Sequence, residues 1–114
     1  MRRNSRRRES AGQRVGNESE RVVESALALL KEKKRIIDYR KQDQPGIDFF
    51  IIRLDRKEVP IQVKSSIKHA EEHRRKYAGI LVIIVEHGYT SIPDEEFTGL
   101  ERKVLSDIAH HVHV

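Results

Sequence analysis

Cysteine and tryptophan are absent from this chain, and aromatic residues make up only 5% of it. Without cysteine there is no disulfide framework, no thiolate metal site and no cysteine nucleophile. Few rings are available for base stacking, and no helix-turn-helix or zinc-finger pattern is present to read a base sequence. A Gly-rich phosphate loop is also missing. No apolar run approaches the ~20 residues a transmembrane helix needs. The Arg-rich beginning lacks the apolar segment of a secretory signal. The expectation is a soluble, intracellular, cytoplasmic protein with no membrane partner.

Charge is abundant, at 36% of residues with a net +5, and its distribution is uneven. Residues 1–14 hold Arg2, Arg3, Arg6, Arg7, Arg8 and Arg14 against a single acid, Glu9. Such a run is a poor core former. Residues 1–15 therefore read as a basic, flexible arm suited to phosphate contacts, and 16–114 as a single domain. A tail that only raises solubility is the plainer reading of the arm. At 114 residues one core is the natural limit, and the apolar residues gathered into a few runs argue that it folds.

The spacing predicts a helix from about Asn17 to Lys34, capped by Asn17 or Ser19, with Val23, Ala26, Leu27 and Leu30 as its apolar stripe. Glu18 and Glu20 fall in its first turn, where the helix dipole favours acids. Ile36–Tyr39 reads as a short strand, Asp43-Gln44-Pro45-Gly46 as a turn, and Ile47–Leu54 as a longer strand. Asp55-Arg56-Lys57 turns the chain back into Glu58–Ser65. A polar helix over Ile67–Tyr77 follows. Next comes the run Ile80–Val85, apolar on both faces and so expected as a central strand. A last helix runs from Pro93 to about Ala109, burying Leu100, Val104, Leu105 and Ile108. The fold class expected is α/β: a mixed β-sheet in the order helix, three strands, helix, strand, sandwiched by helices, plus a C-terminal helix. The crossover through the second helix should be parallel and right-handed.

Asp48 begins the long strand just after the Pro-Gly turn, and Gln62-Val63-Lys64 lies across the hairpin from it. Alternate residues of a strand share a face, so Gln62 and Lys64 point together and Val63 points away. An acid, an amide oxygen and a lysine can thus converge at one sheet edge. A lysine placed there calls for a partner.

Glu18-Ser19-Glu20 on the first helix, Pro45-Gly46-Ile47-Asp48 and Gln62-Val63-Lys64, in the order helix, strand, strand, resemble the core of the PD-(D/E)xK nucleases. That superfamily includes restriction endonucleases, archaeal Holliday-junction resolvases and the nuclease subunits of some transposases. The resemblance spans residues 16–85 and implies a restriction-endonuclease-like fold. It also implies that Asp48, Gln62 and the Val63 carbonyl hold Mg²⁺ or Mn²⁺ through oxygen. Lys64 would orient the attacking water and hold charge on the phosphate. Glu20 would reach the metal directly or through water, with Glu24 the alternative one turn on. Catalytic roles thus fall to Glu20, Asp48, Gln62 and Lys64. Gln62 departs from the usual Asp or Glu and gives the metal one less negative charge.

Each of these residues also has a plainer role. Asp48 could bond turn amides. Gln62 and Lys64 could be the solvent face of the hairpin, and Glu20 could only complement the dipole. His69 and His73, four apart, could pair on zinc but lack a third ligand, and a solvated helix face is the expectation. His110, His111 and His113 read as a frayed end. No histidine is placed by sequence to activate Ser65 or Ser66. Arg74, Arg75 and Lys76 suit a phosphate-contact patch.

Together these features lead to the expectation of a metal-dependent endonuclease hydrolysing DNA phosphodiester bonds, on branched or structured DNA, with RNA not distinguished. A homodimer would give two sites for two strands. The alternative is a catalytically silent, nucleic-acid-binding or partner-dependent subunit.

Overall fold

A computed structural model of the chain describes residues 10–114, apart from the side chain of Asp43. Arg2, Arg3, Arg6, Arg7 and Arg8 lie outside the described residues. Helix α1 runs Ala11–Glu32, six residues earlier at its start than the apolar periodicity implied. The reason is a capping box. The Ser10 side chain accepts from the Gln13 amide, and the Gln13 side chain accepts from the Ser10 amide. Residues 11–15, assigned from sequence to the arm, are therefore helical, and Arg14 is an exposed residue of the first turn.

Strands β1 (Asp38–Gln44), β2 (Ile47–Ile52) and β3 (Glu58–Lys64) form an antiparallel meander. Helix α2 (Ile67–Lys76) carries the chain over to β4 (Leu81–Ile84), which pairs parallel with β3. Helix α3 (Asp94–Val112) completes the order. Four strands thus make one mixed sheet, β1-β2-β3-β4, among the described residues. The sequence placed the first strand at Ile36–Tyr39. Instead Ile36 is buried in the core ahead of the strand, and the polar stretch 38–44 does the pairing.

Periodicity decides the layers. Val22, Val23, Ala26, Leu27 and Leu30 of α1 join Val104, Ile108 and Val112 of α3 over one face of the sheet, on Phe49, Ile51, Ile61, Val63 and Ile83. Ser25 donates to the Glu101 carboxylate between the two helices. Ala70 and Val82 are buried outside that cluster, where α2 packs on β3 and β4 from the other face. Both faces of β4 are covered, as its composition requires, yet the strand is an edge and not central. Helix α3 continues three residues past Ala109. His110 and His111 sit in its last turn instead of a frayed end, and His113 takes a left-handed cap at φ 61°.

Candidate active site

Asp48 enters β2 directly behind the Pro45-Gly46 turn. Gly46 has φ +81°, and a Cβ there would stand 2.8 Å from ring carbons of Tyr77, so only glycine fits both the backbone and the packing. The β2–β3 ladder begins at Phe49↔Ile61, and one step further along that register Asp48 faces Gln62. At this point the backbone ladder gives way to a side chain: Asp48 Oδ2 accepts the Val63 amide at 2.8 Å. The other carboxylate oxygen is left for a different partner.

Alternation along β3 does the rest. Ile61 and Val63 are buried in the core, while Gln62 and Lys64 are half-buried on the opposite face. Glu20, Asp48, Gln62, Val63 and Lys64 line one cavity of about 390 Å³ together with Gly12, Val15, Gly16, Ser65 and His69. The five residues singled out from sequence, 44 positions apart at their extremes, are thereby brought together. The early start of α1 contributes two glycines to the wall, since Gly12 and Gly16 are one turn apart. Glu20 also meets Lys41 Nζ at 3.6 Å. Glu24, the alternative carboxylate, lines a different groove with Lys31, Asp38 and Tyr39.

Burial pushes the Asp48 carboxyl above its ordinary range. The Val63 amide and the positive charge of Lys64, His73 and Lys41 pull the other way and do not overcome the desolvation. A carboxylate held this way gains from a cation at its side. Oxygen donors on this wall are Asp48, the Gln62 amide and the Val63 carbonyl, with Glu20 also lining the cavity, and they stand beside the nitrogens of Lys64 and His69. Gln62 Oε1 is buried with no hydrogen-bond partner, which leaves an oxygen whose lone pairs are unsatisfied. This set suits a hard divalent ion such as Mg²⁺ or Mn²⁺. Among the described residues no three His, Asp or Glu side chains converge as a ready-made metal centre, so such an ion would depend on amide and carbonyl oxygens and on substrate phosphate.

Of the two histidines read as a solvated helix face, His69 is exposed as expected and His73 is not. His69 lines this cavity and an adjoining one of about 380 Å³ that shares Gln62 and Lys64. His73 is 6% exposed, with Nε2 3.0 Å from the Gly46 carbonyl oxygen. The solvated reading of His73 is therefore wrong: α2 lies over the Pro-Gly turn and buries it. Ser66 caps α2 by accepting from the His69 amide, a structural use for one of the two serines after Lys64. Arg74, Arg75 and Lys76 are exposed on the last turn of α2, and Lys76 lines the adjoining cavity.

A serine–histidine contact exists elsewhere. Buried Ser19 Oγ is 2.8 Å from His87 Nε2, while His87 Nδ1 accepts the Tyr89 amide. That acceptance puts the ring proton on Nε2, which then donates to Ser19, the reverse of base activation. Burial first of all holds the His87 pKa below its ordinary value.

Fold and site together define an α/β protein with a four-stranded mixed sheet, three helices among the described residues, and a cavity where β2 and β3 part that Glu20, Asp48, Gln62 and Lys64 line. Comparison with family models, with curated proteins and with solved structures returns no match. No helix among the described residues is long and apolar enough to cross a membrane.

Proposed function

We propose that the chain is a divalent-metal-dependent endonuclease of the PD-(D/E)xK kind, hydrolysing phosphodiester bonds of DNA. One observation carries the reading: Glu20, Asp48, Gln62, Val63 and Lys64, chosen by motif, line a single cavity. The helix–meander–helix–strand order and the parallel last strand support the restriction-endonuclease-like form of the fold. Asp48, the Gln62 amide oxygen and the Val63 carbonyl would hold Mg²⁺ or Mn²⁺, with Glu20 reaching the ion directly or through water. When bound, the ion acts as a Lewis acid and lowers the pKa of its water. Lys64 would orient the attacking water and stabilise charge on the phosphate. Lys41 keeps Glu20 beside the site through their ion pair. Arg14, Arg74, Arg75 and Lys76 offer backbone phosphate contacts, which fix position and carry no sequence information. Branched or structured DNA is the first substrate to try. The reacting group is the same in RNA. A homodimer would bring two such sites to two strands.

Gln62 also favours a second reading, a silent nucleic-acid-binding subunit, since a neutral amide replaces a charged ligand. Cleavage of labelled linear, nicked and four-way-junction DNA with Mg²⁺ or Mn²⁺ separates the two. Wild type should cut, and Asp48→Ala and Lys64→Ala should each lose about 100-fold or more in rate while still binding DNA. Binding without cutting under either metal would sink the nuclease reading in favour of the silent one.

A further inference from the structure

The first step of β2 is weakly held by backbone. Gln44↔Ile47 closes the β1–β2 turn, but pairing with β3 starts only at Phe49, so Ile47 and Asp48 lie outside that ladder. What fixes the turn is α2. His73 and Ala70 are the buried residues of this otherwise charged helix. Burying an imidazole is unfavourable unless its polar atoms are used, and here Nδ1 is buried without a hydrogen-bond partner, so Nε2 makes the ring's one hydrogen bond. The Gly46 carbonyl can only accept, so His73 Nε2 carries the proton and donates to it at 3.0 Å. One turn on, the Tyr77 ring covers Gly46 so closely that no Cβ would fit, and the His73 and Tyr77 rings lie 4.8 Å apart. His73 of α2 and Tyr77, the residue that ends the helix, therefore grip a single glycine, two residues ahead of Asp48.

We propose that His73 is a positioning residue: by holding the Gly46 carbonyl, with Tyr77 over the glycine, it sets where the Asp48 carboxylate stands and so tunes the affinity of the site for a divalent ion. This rests on the metal-dependent reading above. The effect acts through the turn, since His73 donates to backbone and not to the carboxylate itself.

Manganese titration by calorimetry, paired with thermal unfolding in the absence of metal, tests this on wild type, His73→Phe and His73→Gln. Phenylalanine keeps the ring against Tyr77 and removes the donor. Glutamine keeps a donor able to reach the carbonyl. The Phe variant should bind Mn²⁺ about tenfold more weakly, as for loss of a partner that orients a ligand. The Gln variant should recover wild-type affinity even where its metal-free melting temperature stays low. Should the Phe variant fail to fold, Tyr77→Leu, which removes the other half of the grip, carries the same expected loss. Wild-type affinity in the Phe or Leu variant would overturn the proposal. So would equal weakening of the Phe and Gln variants in step with stability, the mark of a merely structural role. Wild type that binds no Mn²⁺ would instead strike the metal reading itself, and both would fall.

Discussion

Asp48 shows how one side chain can serve two ends. Its Oδ2 replaces a missing ladder partner for the Val63 amide, while burial makes its charge unwelcome. Because the folded-state pKa lies above the unfolded one, Asp48 is at its least destabilising below the ordinary carboxyl pKa. Its stability contribution is lost as pH rises through the raised value. Asp48→Asn keeps an oxygen for the Val63 amide and removes the charge. The metal-free Asn variant should therefore melt higher than wild type at pH 7, with the gap closing at pH 3. Saturating Mn²⁺ should reverse the order at pH 7, since only the aspartate gains from the ion. Melting curves at the two pH values, with and without metal, check this. At this scale the sequence was informative for residues whose placement follows from strand alternation, as with Gln62 and Lys64. It was silent on His73. Nothing in a helix reading Ile67-Lys68-His69-Ala70-Glu71-Glu72-His73-Arg74 says that one histidine meets a turn 27 residues earlier.

Among elements, the turn at Pro45-Gly46 and the helix α2 form one unit. Gly46→Ala adds a methyl where Tyr77 already stands and asks alanine to take φ +81°. The expected loss is about 3 kcal/mol, from left-handed strain and overpacking together, read as a lowered urea midpoint. All seven elements could be found from pattern and punctuation, but their ends and neighbours could not. The start of α1 is hidden from apolar spacing, which begins later, because Ser10 and Gln13 signal the cap through hydrogen bonds. The strand after α1 was misplaced because Ile36 looks like strand and serves as a core plug. The position of β4 was misjudged for a different reason. Hydropathy reports whether helices cover a strand's faces, and α2 and α3 do cover them, but it holds no record of which strand pairs alongside.

Across the whole molecule, the N-terminal half of α1 is tied to the segment between β4 and α3 and to the first turn of α3. Ser19 receives His87, Glu18 Oε1 accepts the Ile92 amide at 2.7 Å, and the Arg21 guanidinium lies over the Phe97 ring at 4.4 Å. These ties hold Glu20, on the same helix, beside the β-hairpin that carries Asp48. The bond from Arg21, then that from Ile92, hold the Glu18 carboxyl below its ordinary range, and burial holds His87 low. Both depressed groups contribute stability that is complete above their unfolded pKa values and is lost on acidification. For His87 the loss begins near pH 6.5, and for Glu18 near pH 4.5. Urea midpoints should fall in two stages as pH drops from 7.5. Glu18→Ala should lose about 2 kcal/mol at pH 7 and flatten the second stage.

The two rims of the sheet are chemically unequal. The β1 rim bears Asp38, Arg40 and Lys41, charges that turn away a stray strand, whereas the β4 rim is Leu81-Val82-Ile83-Ile84. Arg74 from one helix and Asp107 and His111 from another border that second rim. The molecule is thus a one-ended template. A strand added beside β4 would have three strands between itself and β1, so growth of the sheet would have a direction built into it.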